Sequence, residues 1–129
     1  MITALYTSLC ALLIVKLSSN VITLRRQLHV GLGDGGQPAL QAAIRSQGNA
    51  TEYIPISLIL MILLEWAGGP WWLIHLAGIT LISSRLLHAS ALKNSNVRRR
   101  VLGMRITFYL IIALAALNIF YLIIGYFSG

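Results

Sequence analysis

Acidic side chains are scarce: Asp34, Glu52 and Glu65 are the only three in 129 residues, against ten lysines and arginines. Charge of either sign is thin, at 10% of residues where a soluble domain carries about 25%. A soluble fold of this length could not cover its surface with so few charges, so lipid must cover much of it. A single cysteine, Cys10, excludes an internal disulfide and a multi-cysteine metal site. It sits inside an apolar run, where a small buried or lipid-facing residue is the simplest role. No H-x-x-x-H or C-x-x-C pattern occurs, and His29, His75 and His88 share no ligand spacing, so no metal is expected. No Ser/His/Asp arrangement stands out. The first apolar run has no basic stretch before it and no A-x-A signal after it. It is expected to be a retained helix rather than a signal peptide.

Apolar residues are abundant, at 57% against about 45–50% in a typical globular protein. They fall into runs long enough to cross a bilayer core of about 30 Å, which takes roughly 20 helical residues. The spans are expected near 2–25, 38–67, 70–92 and 98–127, as one domain over 1–129. Pro38 suits the first turn of the second helix. Gly68-Gly69-Pro70 and Asn94-Ser95-Asn96 are breakers. The runs are too long and too continuous for the alternating strands of a barrel, each about 10 residues long. The fold class is therefore all-α, an antiparallel four-helix bundle integral to a membrane. The glycine-rich segment His29–Gln37 reads as a loop. With no strand before it, it is not expected to hold a dinucleotide.

The basic residues are unevenly placed. Arg25, Arg26 and Arg45 lie at the first connection, and Lys93, Arg98, Arg99, Arg100 and Arg105 at the third. By the positive-inside rule those two connections are expected to be cytoplasmic, and both termini and the 67–70 turn to lie on the opposite side. Trp66, Trp71 and Trp72 flank that turn, as an interfacial aromatic belt would. Because the arginines adjoin apolar runs, topology accounts for the basic excess and no nucleic-acid partner is expected.

Ionisable residues inside a membrane are costly and usually face a bundle interior. Here they are Lys16, Asn20, Asn49, Glu52, Arg85 and His88, counting the two amides with them. Arg45, Asn49 and Glu52 stand at i, i+4 and i+7, hence on one helix face, and Arg85 and His88 at i and i+3 on another. At 1.5 Å per residue, Glu52 lies roughly 22 Å along its helix from Ala67, and Lys16 roughly 21 Å from Ile2. Lys16, Glu52 and Arg85 are thus expected in one polar layer, with Asn20, Asn49 and His88 just above. The blander expectation is a Glu52–Arg85 ion pair that only locks helices together. The sharper one is a site for a polar anion, since positive charge is in excess and a buried excess needs an anionic partner.

The stretch Arg45-Ser-Gln-Gly-Asn49-Ala-Thr-Glu52-Tyr53-Ile-Pro55 resembles the second-helix signature of the MAPEG family, the membrane-associated proteins in eicosanoid and glutathione metabolism. Arg85-Leu-Leu-His88-Ala89 and the four-helix layout are also similar to it. Within the family the likeness is to the small bacterial inner-membrane members. The resemblance implies a homotrimer with sites between neighbouring subunits, open to the cytoplasm. It implies glutathione as co-substrate, contacted by Arg45, Asn49, Glu52, Tyr53, Arg85 and His88. It also implies a thiolate-stabilising arginine near the start of the fourth helix. Ungapped spacing points to Arg99 as that catalytic residue, with Arg98 and Arg100 as alternatives. One departure stands out: several active relatives carry tyrosine where this chain has Leu92.

Two functions follow. One is a glutathione transferase or peroxidase acting on a hydrophobic small-molecule substrate from the bilayer. The other is a membrane protein that keeps the fold, and binds or merely scaffolds, without catalysis. A channel or transporter fits poorly, because Ile106–Phe127 offers only Thr107, Asn118 and tyrosines to line a path.

Overall fold

A computed structural model describes all residues from Met1 to Gly129. The four helices are α1 (Thr3–Leu28), α2 (Pro38–Trp66), α3 (Trp71–Lys93) and α4 (Val97–Ser128). All four are long and apolar enough to cross a membrane, and together they form an up-down bundle with no strand. α2 and α3 are central and each touches the other three helices, whereas α1 and α4 do not touch each other.

Local chemistry sets the helix ends. Pro38 opens α2 after an extended Gln37, the position where its missing N–H costs nothing. Asn96 caps α4, its side chain accepting from the Arg99 N–H at 3.2 Å. α1 runs to Leu28, past the expected end at 25, because Arg25 and Arg26 stay helical. Arg25 then closes the 29–37 connection, donating from Nη1 to the Gly33 carbonyl at 2.8 Å. That connection joins two helices, so its glycines form no strand-to-helix phosphate turn.

The core runs through fully buried Ile54, Met61, Leu64, Ile74, Leu81 and Leu114. Where α1 crosses α3, the Tyr6 ring lies directly on Gly78. A Cβ there would sit 2.3 Å from the ring, so only glycine allows the approach. The Tyr6 hydroxyl lies 2.7 Å from His75 Nδ1, which gives His75 a helix-packing role.

The tryptophan end of the bundle is tied by a contact invisible to pattern reading. The Glu65 carboxylate, at the end of α2, accepts from the backbone N–H groups of Ile2 and of Thr3, the latter at 2.9 Å. It lies 4.0 Å from the Met1 amine, the only ion pair in the chain. An anion at a helix N-terminus satisfies unpaired donors and meets the positive end of the macrodipole. Glu65 therefore caps α1 from a different helix. Replacing Glu65 with Ala should destabilise the detergent-solubilised protein by about 1–2 kcal/mol. The fall should show in its thermal midpoint, and Glu65→Gln, which keeps one acceptor oxygen, should recover part of it.

Candidate functional site

At the opposite, basic end the polar residues converge on Arg85. This side chain is 2% exposed and reaches two other helices. Its Nη1 donates to Asn49 Oδ1 on α2, and its Nη2 donates to Thr107 Oγ1 on α4 at 2.9 Å. The Met104 sulfur lies 3.4 Å from the same nitrogen. The Thr107 hydroxyl stands 3.1 Å from Ser84 Oγ and 2.9 Å from the Gly103 carbonyl. Gly103 makes this possible: a Cβ there would meet the Ser84 carbonyl at 2.9 Å, so a side chain would push α4 off α3.

The Glu52–Arg85 ion pair is not formed. Arg85 takes neutral oxygens instead, and its buried Nε has no partner. Glu52 is exposed on the single chain and looks into a cleft. The contacts shift the layer expected from residue counting: Asn49, expected just above Lys16 and Arg85, is the residue at their level. Asn49 meets Arg85, and Gln47 lies 3.5 Å from Ser18 across α2 and α1. That contact sets Lys16 near the level of Asn49. Lys16 and Asn20 nonetheless point outward from α1 and line no cleft.

The cleft opens between α2, α3 and α4 and encloses about 470 Å³. Of the residues expected at the site, Arg45, Asn49, Glu52, Tyr53 and His88 line it. Arg85 stands behind its wall, linked through Asn49. Arg99 is exposed and outside it, whereas Arg100 lines it. Arg105, Met104 and Phe108 also line it and were not among the expected residues. The missed signal was the i, i+4, i+8 spacing of Arg100, Met104 and Phe108, which puts them on one face of α4. The Tyr53 and Phe108 rings meet edge to face, with centroids 5.4 Å apart. Leu92 lines this cleft and a neighbouring one of about 420 Å³ towards the start of α2, and Arg45 and Arg100 also border both. The two hollows adjoin at the basic end, and together they are called the groove. No three His, Cys, Asp or Glu side chains gather to hold a metal ion.

Four spanning helices with an arginine-lined groove at one end define a polytopic membrane bundle with a polar pocket at one membrane face. The chain belongs to the MAPEG family, whose model matches residues 3–120. It is 42% identical over 122 residues to the inner membrane protein YecN of Escherichia coli strain K12, covering 95% of this chain and 93% of that protein. YecN of E. coli O6:H1 strain CFT073 aligns with the same figures.

The Arg85 bonds should be measurable as a unit. Thr107→Val keeps the volume and removes an acceptor from a buried guanidinium, which should cost about 1–3 kcal/mol in thermal unfolding. Combined with Arg85→Met, the loss should be clearly less than additive, since both substitutions remove one interaction.

Proposed function

We propose that this protein is a glutathione-binding membrane enzyme, which conjugates glutathione to hydrophobic electrophiles from the bilayer or reduces their peroxides. One observation carries the reading. The cleft sets three arginines, Arg45, Arg100 and Arg105, against the single carboxylate of Glu52, with the carboxylate-free guanidinium of Arg85 directly behind. Three cations converging on one cleft with a single carboxylate favour an anionic ligand. Glutathione has matching chemistry: two carboxylates, one ammonium group and a thiol. The cleft volume of about 470 Å³ lies within the range of small-molecule sites, about 300–1,000 Å³.

The roles follow from the lining. Arg45 and Arg105 are available to the carboxylates, and Glu52 to the ammonium group. Tyr53 and His88 present polar edges, and Arg85 holds Asn49 in place. Arg100, rather than Arg99, takes the catalytic part, because a guanidinium beside a thiol favours the nucleophilic thiolate. Val101 and Phe108 are exposed at the rim and offer an apolar acceptor a path from lipid.

Family membership and the likeness to inner membrane proteins support a bacterial inner membrane location. The excess of basic residues at the groove end supports a cytoplasmic opening, with the termini and the 67–70 turn periplasmic. A homotrimer is what the family likeness implies, and Lys16 and Glu52, exposed within the spanning helices of one chain, support association with further copies. Leu92 favours a second reading, a glutathione binder without catalysis, because it offers the thiol no hydrogen bond.

Calorimetry on the purified protein should detect glutathione binding, and its absence would rule out both readings. Arg100→Gln should weaken binding about tenfold or more, the loss of one charged hydrogen bond, with Arg99→Gln changing it far less. A thiolate absorbance on adding glutathione, lost in Arg100→Gln, separates the enzyme from the binder.

A further inference from the structure

Three cations around the turn between α3 and α4 take no part in the cleft. Lys93 ends α3, and Arg98 and Arg99 stand in the first turn of α4; all three are exposed and line neither hollow of the groove. Their side chains make no hydrogen bond or ion pair within the chain; the backbone N–H of Arg99 alone is used, by the Asn96 cap. No acid is at hand to neutralise them. Asp34 lies in the 29–37 connection, Glu65 caps α1 at the far end, and Glu52 faces the cleft. The helix macrodipole also disfavours cations in the first turn of a helix. Two arginines there concentrate positive potential that an external anion would relieve.

What lies below them narrows the occupant. Arg98, Leu102, Arg105, Tyr109 and Ile112 follow one another at helical spacing along one face of α4, and every one is exposed. Arg105 also borders the cleft; the others have no part in it. The uncharged run begins at Ile106, about 12 Å along the axis from Arg98 at 1.5 Å per residue. A cationic head above a continuous apolar stripe has the polarity profile of a phospholipid. A soluble anion or a nucleic acid would make no use of the apolar part. Topology accounts for positive charge on this side, but lysine would serve it equally well. Four of the five cations between 93 and 105 are arginines, whose planar donors match phosphate oxygens in pairs.

We propose that Lys93, Arg98 and Arg99 bind the phosphate headgroup of an anionic phospholipid whose acyl chains lie along Leu102, Tyr109 and Ile112 of α4. The lipid is held by charge at its head and by apolar contact along its length. It occupies the outer face of α4, which no other helix of the chain covers.

Native mass spectrometry on the full-length protein in a neutral detergent tests this with phosphatidylglycerol and phosphatidylcholine of identical acyl chains. The protein should retain phosphatidylglycerol about tenfold or more over phosphatidylcholine, given about 1 kcal/mol for each basic residue near the headgroups. Arg98→Gln/Arg99→Gln, which leaves only Lys93 of the three cations, should cut that preference severalfold while leaving phosphatidylcholine retention unchanged. Should loss of charge disturb insertion, Arg98→Lys/Arg99→Lys keeps it and should show an intermediate preference. Equal retention of the two lipids by the unaltered protein overturns the proposal. So does an undiminished preference in the glutamine variant. Displacement of phosphatidylglycerol by millimolar inorganic phosphate would identify a soluble anion as the ligand and overturn it as well.

Discussion

Everything at the basic end depends on how the bundle accommodates one buried guanidinium. Arg85 is shielded from water in a helix that crosses a membrane, where a charged side chain costs several kcal/mol unless it finds polar partners. It finds them on both sides, in Asn49 of α2 and Thr107 of α4. Hydrogen bonds to charged groups contribute about 1.5–3 kcal/mol each, enough to fix the relative depth of three helices. Gly103 is the geometric condition for it, since Thr107 can reach Arg85 only where α4 lies against the backbone of α3.

The choice of neutral partners has a consequence for the cleft. Had Glu52 neutralised Arg85, both charges would have been consumed inside one chain. Asn49 takes its place instead, so Glu52 stays free in the cleft and the positive charge of Arg85 remains uncompensated at its wall. The network thus stiffens the pocket and keeps its electrostatic character. α1 lies outside this arrangement. It is held at the other end by Glu65 and by the Tyr6–His75 contact over Gly78.

The architecture could be read from the sequence because the bilayer restricts the options to helices long enough to span it. Four apolar runs and two breaker clusters sufficed, and Arg45, Asn49 and Glu52 fell on one face by spacing alone. What could not be read depends on contacts between helices. Spacing gives Arg85 a face and a depth, but Asn49 and Glu52 are within one turn of each other on α2, and packing decides which of them it meets. The choice between Arg99 and Arg100 turns on which face α4 presents to the cleft, and its packing on α3 at Gly103 decides that. Nothing in the sequence pattern sets Glu65 apart from other charges near a helix end. Its role appears only once the start of α1 comes to rest beside it. The places of Met104 and Phe108 in the cleft likewise appear only once α4 turns them towards Tyr53.

The two ends of the bundle therefore differ in kind. At the tryptophan end, Glu65 is matched by the Ile2 and Thr3 N–H groups, and the Tyr6 hydroxyl by His75. At the basic end, cations outnumber anything within the chain that could pair with them, and Lys16 and Glu52 stand exposed within spanning helices. Lipid tails cannot solvate those side chains. A single chain is thus electrostatically complete at one membrane face and incomplete at the other. Whatever balances that deficit lies outside the chain, and the exposed charges of that face are where such contacts would form.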